Sequence, residues 1–424
     1  MGEDNLKKDF LEMISLFSSG TTGQPLELET SVNLEEVGRF ASEQGVWPIV
    51  FSVVHKAYQR RDKGKLKIAQ ATYDDMLKRF FVESAHQIQR QNGLNELYEA
   101  FEKQQIGYCI LKGESLSHVY HQPSLRISSD TDIYIRKKDQ KTVIDILKRL
   151  DYQILPLQPN CHHWIAEHPV AGSVEIHVRL YNEFVEEVWF NNKALLQENY
   201  RNVKTSEGRW IPTLGMTDQL IFITLHFIKH SIGHGIGIRQ LMDILLYMKH
   251  YKEVIDWERY DLLLDDLNYK KFVHQLIGIG IVYFGIKADD LPPCNYDVKI
   301  MNHIVWDMQR GGIFGKQEQG RAAIFTYYTK ARLKRFSERQ RATYMRRFRL
   351  SQLRLLIPAR VHLENKFPYV TAHPYLYPIA LLHRIMQLLA RIGNGEKRVT
   401  QYVLQEKDPF FDKRMELINE LEMI

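Results

Sequence analysis

A strand-like run that carries two aspartates one residue apart limits the folds open to this chain. The run reads SDTDIYIR and contains Asp130 and Asp132, although aspartate is disfavoured in β-strands. Residues i and i+2 of a strand point to the same side, with Cα atoms roughly 6.5–7 Å apart. The two carboxylates would repel each other unless a cation lay between them, and a hard divalent cation bound through oxygen ligands is the usual solution. A solvated edge strand is the alternative that stays open.

A small mixed α/β unit surrounds this run. It begins with the apolar strand YCILK at Tyr108, and a short helix follows in ESLSHVYHQ. After the acidic strand comes a helix in DQKTVIDILKRLD, with Asp139 at its N-cap position. Three further strands are predicted in YQILPL, HHWIAEH and SVEIHVRLY, and PVAG forms a hairpin-like turn between the last two. The unit ends near Leu214.

Helical spacing of apolar residues dominates on both sides of this unit. It is clear in LEEVGRFASEQG and WPIVFSVVHKAYQRR upstream, and in TDQLIFITLHFIKHSIGH and IRQLMDILLYMKHY downstream. A chain of 424 residues suffices for two or three domains. We therefore predict an α+β fold in three parts: an N-terminal helical region over residues 1–107, a small mixed-sheet core over 108–215, and a C-terminal helical region over 216–424.

Other residues of the core suit phosphate chemistry. Glu175 interrupts the strand SVEIHVRL, with His177 as its same-face neighbour. A third carboxylate allows two metal ions roughly 3.5–4 Å apart, which clamp the attacking and leaving oxygens of a phosphoryl transfer. Lys112 and Gly113 fall where a strand ends and a helix begins, and glycine there lets backbone N–H groups approach a phosphate. Arg126 could meet a phosphate oxygen with its fork of donors.

Each of these features also has an ordinary structural interpretation. Glu175 could pair with Arg179 at the surface, and Lys112-Gly113 could be a simple helix-start loop. The order of the features favours a site, because glycine loop, helix, acidic strand, helix and second acidic strand form a coherent unit. In that unit each acid interrupts an otherwise apolar run.

The stretch LKGESLSHVYHQPSLRISSDTDIYI resembles the signature of the uncharacterised nucleotidyltransferase family, within the polymerase-beta-like superfamily. In that superfamily a glycine-containing turn and a helix precede a strand with two metal-binding acids, and a third acid lies on a later strand. The matching positions are Gly113, Asp130 with Asp132, and Glu175. Segments such as LEEVGRFASEQGVWPIVFSVV and LLIPARVHLENKFP are also similar to family segments. One departure is Glu114, which stands where the superfamily commonly has serine or glycine.

The resemblance implies an enzyme that transfers a nucleoside monophosphate from an NTP, expected to be ATP, to an acceptor that it does not identify. The cofactor would be Mg²⁺ or Mn²⁺, bound by Asp130, Asp132 and Glu175. Glu175 would act as a further ligand or as the base that takes the acceptor's proton. The residues predicted to bind the nucleotide are Lys112, Gly113, Glu114, Arg126, His177, His226 and His230.

Three histidines recur every four residues in HFIKHSIGH, namely His226, His230 and His234. They share one helical face if the helix continues past Ser231, which Gly233 disfavours. HxxxH is the spacing of a metal-ligand pair, so a zinc site is one alternative, although no glutamate completes the metalloprotease motif HExxH. Ordinary helix packing and contact of His226 or His230 with nucleotide or acceptor both stay open.

A further i,i+4 pair follows this stretch. Arg239 and Asp243 have the spacing of an ordinary helix ion pair.

Positive charge is concentrated in one segment, 330–349. It holds nine Lys and Arg and one acid, a net charge of +8 in a chain of net charge +6, so the other residues sum to −2. Its aromatic residues have the spacing of a buried face, so tight binding of nucleic acid is not expected. Two alternative functions stay open: an RNA-acting nucleotidyltransferase that uses this segment, and a non-catalytic nucleotide-binding regulatory protein.

The remaining composition predicts a cytoplasmic protein. Cys109, Cys161 and Cys294 lie far apart without a CxxC pair, which argues against a disulfide framework or a zinc ribbon and for a reducing compartment. No apolar run reaches the roughly 18 residues of a membrane span. The first residues lack the basic region, apolar stretch and cleavage site of a signal peptide. We therefore expect no membrane partner.

Overall fold

The computed structural model describes residues 6–24, 26, 32–60, 66–67, 69–155, 163–180, 200–205, 208–233, 235, 237–311, 367, 369–393 and 409–423. The basic segment 330–349, His234 and Cys161 lie outside the described residues.

The N-terminal region is helical, as its apolar spacing predicts. Its helices are α1 Lys8–Thr22, α2 Leu34–Glu43, α3 Trp47–Gln59 and α4 Gln70–Lys103. Two strands of two residues each, β1 Val32–Asn33 and β2 Leu66–Lys67, pair in parallel between these helices. They were not predicted, because two residues are too few to show alternation.

A five-stranded sheet forms the predicted α/β unit. Its spatial order is β3-β4-β7-β6-β5, with β4 parallel to β7 and the other neighbours antiparallel. The strands are β3 Tyr108–Ile110, β4 Asp130–Ile135, β5 Gln153–Ile154, β6 His163–His168 and β7 Gly172–His177. All five predicted strands are present. The mixed sheet among helices confirms the α+β class.

The connections of this unit mostly follow the predicted pattern. The short helix after β3 is a 3-10 helix, Gly113–Val119. The next helix, α5 Gln140–Arg149, has Asp139 at its N-cap position, without a side-chain capping hydrogen bond. A hairpin of β8 Arg201–Lys204 and β9 Trp210–Thr213 adds two strands that were not predicted.

The two faces of the five-stranded sheet differ in chemistry. Ile133 and Ile135 of β4 are fully buried with Val174 and Ile176 of β7, in a core completed by residues of α4 and α5. The alternate residues of β4 and β7 face the other way. They are Asp130, Asp132, Glu175 and His177, so one sheet face is apolar and the other carries the predicted site.

The described part of the C-terminal region is again helical. Its helices are α6 Met216–Gly233, α7 Ile238–His250, α8 Trp257–Asp266, α9 Lys270–Val282, α10 Val298–Gly311, α11 Tyr369–Ala372, α12 Tyr377–Gly393 and α13 Pro409–Glu420. None of the described helices is both long enough and apolar enough to cross a membrane.

One hydrophobic core joins the two helical regions. It contains Phe10 and Phe17 of α1, Leu241 and Leu245 of α7, and Leu111 from the end of β3. The helices before and after the sheet therefore pack together beside it. The division into 1–107, 108–215 and 216–424 stays a proposal about how the chain is organised.

Candidate active site

The two aspartates of β4 lie beside a lysine from the neighbouring strand. The Leu111 amide donates to the Asp132 carbonyl, which places the next residue, Lys112, next to the acidic strand. Its Nζ is 3.3 Å from Asp130 Oδ2 and 3.1 Å from Asp132 Oδ2. The ammonium thus relieves the repulsion that the spacing of the two acids predicts.

Glu175 lies on the same face, next to these acids. The parallel register of β4 and β7 makes Asp132 and Glu175 direct partners. His177 Nε2 lies 3.0 Å from Asp132 Oδ1 and 3.6 Å from Glu175 Oε2. The structure therefore brings together all three carboxylates that the sequence predicts for the metal.

Opposite charges shift the pKa values of this cluster in a consistent way. Burial alone would raise the pKa of Asp132, but Lys112 and His177 outweigh burial and lower it. Burial alone would also raise the pKa of Glu175, but His177, His163 and Lys112 lower it. For Lys112, burial alone would lower the pKa, but the neighbouring carboxylates raise it. At neutral pH the cluster therefore consists of charged carboxylates around an ammonium.

Gly113 forms the turn between Lys112 and the 3-10 helix. Its φ of 79° is in the left-handed region, which favours glycine because a side chain would be strained there. The Gly113 carbonyl accepts a hydrogen bond of 2.8 Å from Arg126 Nη1. The turn is therefore held in place from the segment that leads into β4.

The guanidinium group of Arg126 points to helix α7. Its Nε and Nη2 donate to the two oxygens of Asp243, each at 2.7 Å, and the Tyr120 hydroxyl donates to the same carboxylate at 2.7 Å. Arg239 donates to the Ile127 carbonyl. Asp243 therefore pairs with Arg126, and the sequence interpretation of an ordinary Arg239–Asp243 helix pair is wrong. The phosphate contact of Arg126 stays a prediction.

Glu114 turns away from the acids. Its Oε2 accepts a hydrogen bond of 2.8 Å from the Tyr98 hydroxyl of α4. It lines a cavity of about 130 Å³ on the α4 side of the glycine turn. Its predicted nucleotide contact would therefore have to be made from that side.

A second cavity, of about 230 Å³, lies between the acidic strand and helices α6 and α7. His226 and His230 of α6 face it, with their Nε2 atoms 3.1 Å apart. Burial, together with Lys112 and His230, lowers the pKa of His226 well below its ordinary value. The predicted site residues that line this cavity are Lys112, Gly113, Arg126, Asp130, His226 and His230.

Comparison with known proteins identifies the family. A model of the family described as "Uncharacterised nucleotidyltransferase" matches residues 30–284, more than half of the chain, including the sheet, the acids and helices α6 and α7. The chain belongs to this family. It is a nucleotidyltransferase, and it therefore has a nucleotide substrate and an acceptor. The family resemblance and the enzyme class that the sequence predicts are confirmed.

Other comparisons add little to this assignment. A search of curated proteins found no match to this chain. A similar solved structure is the crystal structure of the lincosamide antibiotic adenylyltransferase LnuA with lincomycin bound. It is 17% identical, and the match covers 37% of this chain and 94% of that chain with a TM-score of 0.27. A likeness at that level carries no argument about this enzyme.

Sequence reasoning missed one histidine that lies next to the predicted site residues. His163 of β6 is the antiparallel partner of His177, and its Nε2 lies 3.5 Å from Glu175 Oε2. HHWIAEH was predicted as a strand, so the signal that could have found His163 was the hairpin pairing of that strand with SVEIHVRLY.

Proposed function

We propose that this enzyme transfers a nucleoside monophosphate from ATP to a small-molecule or protein acceptor in a metal-dependent reaction. Asp130, Asp132 and Glu175 would bind Mg²⁺ or Mn²⁺. The observation that carries the proposal is the convergence of these carboxylates on one sheet face, next to a cavity lined by Lys112 and Gly113.

The donor set suits a hard divalent cation. Carboxylate oxygens are the ligands that such ions prefer, and the Lys112 ammonium, within 3.3 Å of both aspartates, indicates that the cluster accommodates positive charge. When bound, the metal would supply charge neutralisation for the phosphates and the leaving group.

Lys112 and the glycine turn are proposed to hold the triphosphate. Lys112 lines the cavity and also contacts the acids, so its flexible side chain can reach either partner. At Gly113 the absence of a Cβ lets the backbone approach a phosphate closely. The cavity would then contain the phosphates, and the acids would lie at its edge.

The two roles left open for Glu175 differ in their chemical demands. A general base works best with a pKa near the operating pH, whereas His177, His163 and Lys112 lower the pKa of Glu175. Its low basicity favours the role of metal ligand. His226, which has a strongly lowered pKa and faces the cavity, is a neutral hydrogen-bonding group that can contact nucleotide or acceptor.

A reducing cytoplasm is the proposed compartment. Cys109 and Cys294 are free cysteines, and Cys109 is buried, so these two thiols are not used in a disulfide. The acceptor would then be a cytoplasmic molecule.

Transfer of label from ATP tests the proposal. ATP labelled at the α-phosphate should label an acceptor in lysate in the presence of Mg²⁺, whereas ATP labelled at the γ-phosphate should not, because pyrophosphate leaves. Asp132→Asn should lower the rate at least ~100-fold, because a metal ligand contributes several kcal/mol to the transition state. Asp145→Asn is the matched control, since Asp145 lies exposed on α5.

Two results would contradict the proposal. Transfer of the γ-label would show a kinase instead of a nucleotidyltransferase. Equal α-label transfer by the Asp132 and Asp145 variants would remove Asp132 from the reaction.

A further inference from the structure

Two histidines and one glutamate converge on the polar face of the sheet. His163 Nε2 lies 3.5 Å from Glu175 Oε2, and His177 Nε2 lies 3.6 Å from the same oxygen. One ligand atom from each residue falls within 4.8 Å of the other two. Among the described residues this is the group of three metal-ligating side chains whose ligand atoms already lie this close together, closer than the three carboxylates proposed for Mg²⁺.

The sheet backbone sets this arrangement. His163 and His177 are direct partners across the antiparallel pair β6–β7, and Glu175 precedes His177 by two residues on the same strand, so all three share one face. The two imidazole rings lie 4.9 Å apart, centroid to centroid. The three side chains therefore start from paired strands of one sheet.

The donor atoms differ from those of the predicted Mg²⁺ site. Mg²⁺ is bound mainly by oxygen and keeps several waters, whereas imidazole nitrogen suits zinc and other late first-row ions. With metal–ligand bonds of about 2.0–2.2 Å, neighbouring ligand atoms of a tetrahedral zinc site lie roughly 3.3–3.5 Å apart. The contacts of 3.5 and 3.6 Å around Glu175 Oε2 need little adjustment to reach that geometry.

The site also has room for further ligands. Asp132 Oδ1 lies 3.0 Å from His177 Nε2 but outside the group of ligand atoms that lie within 4.8 Å of one another, so water would supply the remaining ligands. His163 and Glu175 retain 16% and 24% exposure of their side chains, which leaves a route for an ion from solvent. The sequence predicts that His177 contacts the nucleotide. That role does not explain why His163 also lies next to Glu175.

We propose that His163, Glu175 and His177 form a second metal site, which takes a borderline first-row transition-metal ion such as Zn²⁺ or Co²⁺. This site would share Glu175 with the proposed Mg²⁺ site. The proposal does not depend on the assignment of Asp130 to Mg²⁺ or on transfer activity. Its rival is a purely positioning role, in which the two histidines only orient Glu175 and Asp132 through hydrogen bonds.

Cobalt binding to the full chain distinguishes a metal site from a purely positioning role of the histidines. After treatment with a chelator, the protein is titrated with CoCl₂ and the visible d–d absorption of bound Co²⁺ is recorded without Mg²⁺, which would compete for the shared Glu175. The titration is repeated with excess Mg²⁺ to identify Co²⁺ bound at oxygen-only sites. ZnCl₂ binding is measured in parallel by calorimetry. The wild type should bind one equivalent, and Zn²⁺ should displace Co²⁺.

Four variants test whether His163 and Glu175 are metal ligands. His163→Gln and Glu175→Gln should each weaken binding at least ~100-fold, beyond the 10–100-fold that loss of a supporting group costs. Asp130→Asn should keep the Co²⁺ spectrum even if it loses Mg²⁺-dependent transfer, so failure of the proposed function would not be mistaken for failure of this site. His86→Gln, at an exposed position of α4, is the matched control.

Circular dichroism establishes that each variant is folded. A folded His163→Gln protein with unchanged Co²⁺ affinity would overturn the proposal, because His163 would then be no ligand. Absence of a Co²⁺ or Zn²⁺ complex in the wild type would overturn it equally, and would leave the histidines as positioning residues.

Discussion

Replacing Lys112 by methionine tests how the acidic cluster is held together. Methionine keeps much of the apolar stem of lysine and removes the charge. In the wild type, Lys112 Nζ lies 3.1 Å from an oxygen of Asp132, whose side chain is 1% exposed, and 3.3 Å from Asp130. The substitution therefore leaves a buried carboxylate without its main cationic neighbour.

The expected magnitude follows from this burial. Removing one partner of a buried ion pair costs about 3–5 kcal/mol, because the other charge stays desolvated. The side chain of Lys112 is 19% exposed, so the pair with Asp132 falls in that class. We expect Lys112→Met to lower the free energy of unfolding by about 3–5 kcal/mol at pH 7 without divalent metal.

The matched control is a lysine that faces a carboxylate at the surface. Lys103 Nζ lies 4.0 Å from Glu99, with the side chains 76% and 54% exposed. Surface pairs of this kind contribute about 0–1 kcal/mol. Lys103→Met should therefore unfold at nearly the same urea concentration as the wild type.

Urea denaturation with and without MgCl₂ provides the measurement. A ligand that binds only the folded state stabilises it according to its affinity. Mg²⁺ should stabilise Lys112→Met more than the wild type, because in the wild type the ion must displace the ammonium from the same carboxylates.

Two results would refute this reasoning. If Lys112→Met and Lys103→Met unfolded at the same urea concentration, the Lys112 ion pair would contribute no more than a surface pair. If Lys112→Met were destabilised but Mg²⁺ stabilised both proteins equally, the ammonium and the metal would not compete.

Further predictions concern the acids, the glycine turn and one half-buried histidine. Asp130→Asn or Asp132→Asn should abolish the melting shift caused by ATP and Mg²⁺ while the protein stays folded; an unchanged shift in both would exclude them from the site. Gly113→Ala, at φ 79°, should cost about 1–2 kcal/mol and reduce that melting shift, and wild-type behaviour in both measurements would contradict the role of the turn. Burial lowers the pKa of His118 to about 4, so the unfolded chain takes up a proton near pH 6.5 that the folded protein accepts only near pH 4. Stability should therefore fall by about 3 kcal/mol as the pH falls through that window. His118→Gln should lack this component in urea melts, and equal pH dependence in both proteins would show that His118 does not titrate in this way.

Local geometry explains which part of the site could be predicted. Alternation along β4 places Asp130 and Asp132 on one face whatever the rest of the fold, because successive strand residues point to opposite sides. The same argument pairs Glu175 with His177 on one face of β7. The register of the two strands aligns Asp132 with Glu175, so the acids of β4 and β7 lie side by side. That these acids bind a metal ion stays a prediction.

Long-range contacts explain what could not be predicted. Arg126 contacts Asp243, 117 positions later in the chain, and no local pattern encodes that packing of helix α7 on the glycine turn. Glu114 follows the turn in sequence, yet its partner Tyr98 comes from α4. His163 approaches Glu175 because β6 pairs with β7 in one register, and register depends on the whole sheet.

The charges of the site link its two proposed ligands. Three carboxylates on one sheet face need cationic neighbours at all times, because an uncompensated buried charge is costly. Without metal, Lys112 supplies that positive charge, and the imidazole of His177 lies within hydrogen-bond distance of Asp132. A metal ion that takes over the carboxylates would release Lys112 toward the cavity that it also lines, where a triphosphate needs positive charge. Metal and nucleotide would then each favour the binding of the other, and by linkage the two effects must be equal in size.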